Sequence, residues 1–460
     1  MRGDILSMST TNRQAKFALA LLFGINLMNF YDRQVIGAIG EKIKVEWLLS
    51  DGQLAGLTTA FVLLYAIVGI PLGRLADVGN RKRILAVGVT VWSAFTALSG
   101  LAGNFAQMVA YRLGVGVGEA SAAPAANSLI GDLFPPAKRG RAIGVFMLGL
   151  PLGIGASYVV SGAIAQATGG WRPALFVAAV PGIVLGGLAL LLPEPARGAA
   201  DPDIVARSRT TVESILSVLK IPTMWWIIVS GALFNLNMYA LSAFHTSFLI
   251  RYHGLNIDLA NRFSGAIFGL GGATGMLLGG WLGDRLAKNG PQGRLLVAAF
   301  GCLLTAPLVW MALQQPRGAY WSFACLMFAG CVLMYLYYST VYATIHDVVD
   351  PRSRGTAMAV YFFVFYLFTA LGLIVFGKLS DARSASALAT GASPADARAF
   401  GLHDALYSVP ILCVVVAMVL WMGSRTAVRD YDRVRERPAD VSTPDGRLDY
   451  ISKGTKSRTK

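Results

Sequence analysis

The chain carries about twelve apolar runs, each near the ~20 residues that a helix needs to cross a bilayer. They fall near 17–39, 53–76, 84–104, 106–130, 141–166, 173–193, 222–250, 260–283, 294–314, 320–345, 355–379 and 403–424. A backbone in lipid finds no water, so every N–H and C=O must be satisfied inside the protein, and so many spans can do this only as a helical bundle. The expected fold is an all-α membrane protein. Composition agrees: 55% of residues are hydrophobic and 14% charged, against about 25% charged in an ordinary soluble domain.

A net charge of +15 invites a nucleic-acid reading, and the distribution of that charge argues against it. With the N-terminus in the cytoplasm, most of the 40 Lys and Arg fall on cytoplasmic segments and few on outer loops. That bias predicts both termini in the cytoplasm of a multi-pass protein of the cell inner membrane. The basic residues from Arg425 onward read as a solvated tail that can touch anionic membrane lipid. The first apolar run is too long for a signal-peptide core and carries Asp32-Arg33 with no cleavage site after them, so no processing is expected. Cys302, Cys325, Cys331 and Cys413 lie within apolar spans; they read as small buried hydrophobes, not as a disulfide or metal framework.

Pro193-Glu194-Pro195 closes the sixth span, and a polar stretch follows it. The expected organisation is a cytoplasmic segment 1–16, a six-helix half 17–193, a linker 194–221, a second six-helix half 222–424 and a basic tail 425–460. Internal similarity supports two pseudo-symmetric halves. Gly73-x-Leu75-x-Asp77 returns as Gly280-x-Leu282-x-Asp284, and Arg139-Gly140-x-Ala142 as Arg354-Gly355-x-Ala357. Two such halves can rock about a central site.

The charged hairpin Gly73-Arg74-Leu75-Ala76-Asp77-Val78-Gly79-Asn80-Arg81-Lys82-Arg83 resembles the loop between the second and third helices of the major facilitator superfamily of secondary transporters. The resemblance implies that Asp77 meets the eleventh helix, here beginning near Arg354-Gly355, when the cytoplasmic side is closed. Arg81 or Arg139 could complete that charge cluster, with Asp284 as the counterpart of Asp77 in the second half.

Ionisable groups inside spans are costly, which makes each a functional candidate. Asn26, Asn29 and Arg33 recur at spacings of three and four and so share one helical face. Arg112 and Glu119 share a face two turns apart on the fourth span. Depth matching makes an Asp32–Arg112 pair plausible and lets Glu119 approach Arg33. The bland reading is a set of static ion pairs locking helices together. Against it, buried pairs often fail to repay their desolvation. A midplane carboxylate opposed by a guanidinium can carry a proton while the Arg exchanges with substrate.

Asn29-Phe30-Tyr31-Asp32-Arg33 with Val35-Ile36-Gly37, and Arg112-Leu113-Gly114-x-Gly116-x-Gly118-Glu119-Ala120 running on to Gly131-Asp132-Leu133-Phe134-Pro135, resemble the signatures of the Spinster-like branch. The resemblance implies proton-coupled or facilitated movement of amphipathic lipids such as lysophospholipids or sphingoid phosphates. It gives Asp32, Arg33 and Glu119 a coupling role and Arg112 that of the fourth-helix arginine. The fifth span, with Gly144, Gly149, Pro151, Gly153 and Gly155, resembles the Gly/Pro motif of antiporters in the superfamily; packing alone explains it equally well.

The second half lacks midplane charge and is aromatic. Tyr335, Tyr338 and Tyr342 recur at helical spacing, Tyr361, Phe362, Phe365, Tyr366 and Phe368 crowd the eleventh span, and Phe234, Asn235, Asn237, Tyr239 and His245 line the seventh. Most read as packing. A cavity charged on one wall and aromatic on the other nonetheless suits a headgroup and an alkyl tail, with Arg33 and Arg112 for an anionic group and Asn29, Tyr335, Tyr338 and Tyr361 beside them. His346-Asp347 reads as a helix-end or gate pair. No phosphate-cradling Gly-rich loop and no metal-ligand spacing is present in the sequence, so no cofactor is expected. The leading reading is a monomeric secondary transporter of small amphipathic or anionic substrates, coupled to protons, with no nucleic-acid partner. A multidrug or organic-anion exchanger is the alternative within that class, and a membrane-embedded lipid-modifying enzyme the alternative outside it.

Overall fold

A computed structural model describes residues 12–197, 211–288, 290–350 and 353–435. Twelve membrane passes arise from seventeen α-helices because four passes are broken. The first half comprises α1 (Asn12–Trp47), α2 (Asp51–Val78), α3 (Arg81–Gly100), α4 (Phe105–Glu119) continued by α5 (Ala122–Leu133), α6 (Pro136–Met147) continued by α7 (Gly149–Thr168), and α8 (Arg172–Ala189). A short helix, α9 (Thr211–Leu219), lies in the linker. The second half comprises α10 (Pro222–Arg251), α11 (Ile257–Gly265) joined through a π turn (Ala266–Gly271) to α12 (Gly272–Ala287), α13 (Gly293–Leu313), α14 (Tyr320–Val348), α15 (Arg354–Ala389), and α16 (Pro394–Leu406) followed by α17 (Ser408–Arg435). An even number of passes puts both chain ends on one side, called here the terminal end; the opposite side is the far end.

Among the described residues ten helical stretches are long and apolar enough to span a membrane. The passes outside that set are α1, which carries Asn26, Asn29, Asp32 and Arg33, and α4–α5, which is interrupted at Ala120-Ser121. These are the two passes that hold the charges buried at the centre, Asp32, Arg33, Arg112 and Glu119. Three expectations need correction. The eleventh pass does not end at 379, because α15 continues to Ala389 as one 36-residue helix. The twelfth is longer than 403–424, because Ser393 and Pro394 start α16 and the stretch runs on through a break at Tyr407 into α17. Cys325 is exposed, unlike Cys302, Cys331 and Cys413. The ends 1–11 and 436–460 and linker residues 198–210 lie outside the described residues.

Glycines bring the passes together where side chains would hold them apart. On α4, a Cβ at Gly116 would sit 2.7 Å from the Phe61 carbonyl oxygen of α2, and one at Gly118 would sit 2.6 Å from the Trp92 amide nitrogen of α3. The glycine spacing of 112–119 therefore wedges α4 between α2 and α3. On the other side, α7 lies against α1, where a Cβ at Gly153 would be 2.2 Å from the Leu27 carbonyl oxygen. Gly155 meets Gly269 of the π turn across the boundary between halves, at 2.7 Å from a would-be Cβ to the Gly269 Cα.

Substitution Gly153→Ala should force α1 and α7 apart and cost about 1–3 kcal/mol, as overpacking typically does. Gly144→Ala faces open space and should be neutral or stabilising by up to about 1 kcal/mol, since Ala favours helix over Gly. Thermal unfolding of the purified variants in detergent checks the pair: only Gly153→Ala is expected to lower the melting temperature.

Candidate functional site

The wedged α4 delivers Arg112 and Glu119 against α1. Asp32, Arg112 and Glu119 have no exposed surface, and Arg33 is 5% exposed. Glu119 Oε2 accepts from Arg33 Nε at 2.9 Å and from Asn29 Nδ2 at 3.0 Å. Asn26, one turn earlier, donates instead to the Phe146 carbonyl of α6 at 2.7 Å. The polar stripe of α1 therefore divides its work: Asn26 ties α1 to α6, while Asn29 and Arg33 hold the carboxylate of α4.

A direct Asp32–Arg112 pair is not formed. Arg112 Nη2 donates to the backbone carbonyl of Asp32 at 3.2 Å, and neither Asp32 carboxylate oxygen has a hydrogen-bond partner. Arg112 and the Trp92 and Thr96 side chains of α3 surround that carboxylate without hydrogen-bonding geometry to it. The reason is orientation: Asp32 immediately precedes Arg33, about 100° away around the helix, so one faces α3 when the other faces the centre. Arg112 Nε and Nη1 and Glu119 Oε1 are also buried and without partners. Buried polar atoms are nearly always satisfied, and this concentration of unsatisfied ones makes the cluster the candidate site.

Arg33 sits in a box of aromatic rings. Its guanidinium carbon lies 4.3 Å from the Tyr65 ring centroid, 4.9 Å from that of Phe30 and 5.4 Å from that of Phe61. The second half closes the box: Arg33 Nη1 donates to the Tyr366 hydroxyl of α15 at 2.9 Å. The phenol was legible in the sequence only as one of many packed aromatics.

The other aromatic candidates stand further back. Tyr335 and Tyr361 are fully buried and Tyr338 nearly so. Tyr361 packs on α10 where Gly231 leaves room, and its hydroxyl lies 3.3 Å from that of Tyr337. Tyr337 in turn stacks on Phe234 with centroids 3.9 Å apart. Tyr65, Tyr239, Tyr342 and Phe362, only partly buried, are the more accessible aromatic rings around the centre.

At the far end, a charge network absent from the sequence reading joins the two halves. Arg251, the last residue of α10, donates from Nε and Nη2 to Glu41 of α1 and from Nη1 to Asp51 of α2, the closest contact being 2.6 Å. Lys44 Nζ meets the other Asp51 oxygen at 2.5 Å. From α15, Ser380 Oγ donates to Asp51 at 2.7 Å, while the Asp381 carboxylate accepts from the backbone N–H of Asp51 and of Gly52, each at 2.8 Å. Asp381 thereby caps the positive N-terminus of α2 from the opposite half. Gln34 and Tyr158 both donate to the Ser242 carbonyl of α10, and Asn261 donates to the Ala38 carbonyl, extending the seam inward.

The terminal end is organised differently, and in this conformation the expected gate cluster is not assembled. Arg81 does not reach the eleventh pass: it is buried within its own half, held by Asp132, by Glu194 at 2.7 Å and by the Pro195 carbonyl. Arg139 donates to the Gly131 carbonyl at 2.8 Å, at the end of α5. Asp284 pairs with Arg294 at 2.9 Å, and Arg294 also binds Asp347, all inside the second half. Arg354 Nε is buried and unpaired. Asp77 ends α2, with its side chain outside the described residues. Among the described residues, the hydrogen bonds that join the halves run from the centre to the far end.

Residues 22–373 match the family model described as Major Facilitator Superfamily. The chain is similar to an MFS-type efflux pump of Mycolicibacterium smegmatis, 28% identical over 421 residues, covering 91% of this chain and 94% of that protein. It is 30% identical over 401 residues to Protein spinster homolog 3 of Danio rerio, covering 83% and 80%. A crystal structure of a bacterial homolog to human lysosomal transporter Spinster, in an inward-facing and unoccupied conformation, has a TM-score of 0.78 to it at 27% identity, covering 91% of this chain and 99% of that one.

Removing Arg251 would leave Glu41 without its cation and Asp51 with Lys44 and Ser380 alone, a loss of up to about 3 kcal/mol because the pair is only partly buried and partly compensated. Arg251→Ala should therefore open the far end. Spin labels at the exposed positions Leu48 and Thr390, in a chain with Cys325 replaced, would report it: the distance distribution is expected to lengthen.

Proposed function

We infer, for a chain that belongs to the Major Facilitator Superfamily and to its Spinster-like branch, that it moves small amphipathic organic anions or lysolipids by alternating access coupled to protons. Family membership makes the chain a transporter and sets aside the membrane-embedded enzyme. The single observation that carries the finer reading is the buried set Asp32, Arg33, Arg112 and Glu119, two carboxylates and two guanidiniums at the centre of the bundle, with unsatisfied atoms on all but Arg33.

Ionised carboxylates enclosed in this way are costly unless paired. Glu119 is held by Arg33 and Asn29. If an anionic headgroup attracts Arg33 or Arg112, Glu119 and Asp32 lose positive charge nearby and each can take a proton in compensation. Substrate and proton then share the same guanidiniums, which is the physical basis of coupling. Arg33 and Arg112 are assigned to the headgroup, with Asn29 beside them, and the half-buried rings around Arg33 to the apolar part. Tyr335, Tyr338 and Tyr361 support that wall from behind in this conformation.

In the inner membrane, with both termini cytoplasmic and the protein monomeric, the far end faces outward. The network of Glu41, Lys44, Asp51, Arg251, Ser380 and Asp381 is then the outer gate, closed. Closure of the cytoplasmic side is assigned to Asp77 meeting the start of α15 at Arg354-Gly355, which brings together surfaces that open onto space at Gly140, Gly144 and Gly355. The likeness to an efflux pump favours a second reading, a multidrug or organic-anion exchanger using the same machinery. A panel of lysophospholipids, sphingoid phosphates and apolar organic anions in proteoliposomes separates the two by which class moves.

Glu119→Gln should abolish uptake driven by a pH gradient while leaving counterflow measurable; unchanged proton dependence removes Glu119 from the mechanism. Arg33→Lys and Arg112→Lys should each weaken binding of an anionic probe by roughly tenfold, nearly as much as Ala, because an ammonium cannot reproduce the two-pronged contact. Equilibrium binding checks it, and full affinity in both Lys variants would make the arginines structural counter-ions.

A further inference from the structure

Arg33 stands apart from the other three charges buried at the centre because its described hydrogen bonds reach both halves. Nε holds Glu119 on α4, and Nη1 reaches the Tyr366 hydroxyl on α15. The helices on either side of that second bond are also the helices that carry the far-end network. Arg33 shares α1 with Glu41 and Lys44; Tyr366 shares α15 with Ser380 and Asp381. Tyr366 lies about four turns, roughly 22 Å of helical rise, before Asp381. The helix between them is unbroken, and Thr59 of α2 donates to its Ala370 carbonyl at 3.0 Å along the way.

The ring and the hydroxyl of Tyr366 have separable partners. The ring meets Tyr65 edge-on at 4.9 Å between centroids and Phe365 at 5.1 Å, contacts that a phenylalanine would keep. The hydroxyl meets the guanidinium. Packing therefore accounts for an aromatic residue here, and only the charge site accounts for a phenol.

We propose that Tyr366 is a positioning residue that ties the state of the buried charges to closure of the far end. While Arg33 Nε is held by Glu119, Nη1 donates to the phenol of α15, so the two halves are tied at the centre and the far-end network can form. When Arg33 turns to an anionic substrate group, that bond is given up and a central tie between α15 and the first half is lost. The proposal rests on the transport reading above for its substrate step, but the link between Tyr366 and the far end stands without any substrate.

The test is Tyr366→Phe, with spin labels at Leu48 and Thr390 and no substrate added. In the closed state the variant leaves a buried guanidinium nitrogen without its acceptor, while in an open state water supplies one. The loss of a hydrogen bond to a charged donor should raise the ratio of far-end-open to closed molecules by roughly tenfold. In proteoliposomes loaded with lysophosphatidic acid as probe, gradient-driven movement should fall by roughly tenfold while the equilibrium dissociation constant changes less than about threefold, the signature of a lost link and not a lost contact. An unchanged distance distribution overturns the proposal, as does an affinity loss equal to the transport loss, which would make Tyr366 a wall of the binding site. If wild-type protein moves no probe of any class, the transport reading fails, and the distance measurement still decides the role of Tyr366.

Discussion

A guanidinium in the middle of a bilayer-spanning bundle must be surrounded by protein, and the arrangement of this molecule follows from how Arg33 is surrounded. It needs a carboxylate, and Glu119 reaches it only because glycines at 116 and 118 let α4 sink between α2 and α3. It needs enclosure, supplied by the rings of Phe30, Phe61 and Tyr65. It needs a further acceptor, and that comes from the other half through Tyr366. A buried cation satisfied partly by each half couples their relative position to its own electrostatics.

The two ends of the bundle treat charge in opposite ways. At the terminal end, Arg294 gathers two carboxylates of its own half, and Arg81 one of its own half and Glu194 at the start of the linker. These clusters stiffen each half as a body and leave its partner free. At the far end, Arg251, Asp51 and Asp381 reach across the boundary. Rigid halves joined at one end by polar contacts are suited to rocking, because water can replace charge-assisted hydrogen bonds when a seam opens, whereas an apolar seam would pay for exposure over its whole area.

Much of the site was legible residue by residue. Asp32, Arg33, Arg112 and Glu119 declare themselves because charge is rare in apolar spans, and the three- and four-residue spacing of Asn26, Asn29 and Arg33 gives their common face. The pairing was only half legible. Helical periodicity and depth bring Glu119 to Arg33, but they do not say that Asp32 points toward α3, leaving Arg112 on its backbone carbonyl. Glu41, Asp51, Arg251 and Asp381 carry no such signal: each lies near a helix end, where charge is ordinary, and their meeting depends on how two distant segments are brought together. Tyr366 was hidden for the opposite reason, since one hydroxyl among many packed aromatic rings cannot be singled out by composition.

The sequence by itself determined that this is a twelve-pass helical bundle in two related halves, because lipid forbids unsatisfied backbone and the period of apolar runs and repeated hairpins can be counted along one dimension. It also named the residues that are expensive to bury. Tertiary structure alone decided which of them touch, which end of the bundle is sealed, and that Arg81, Arg139 and Asp284 serve their own halves. Those outcomes rest on contacts between residues up to 333 positions apart, and hydrogen bonds and ion pairs act over a few ångströms in space, a distance that order along the chain does not contain.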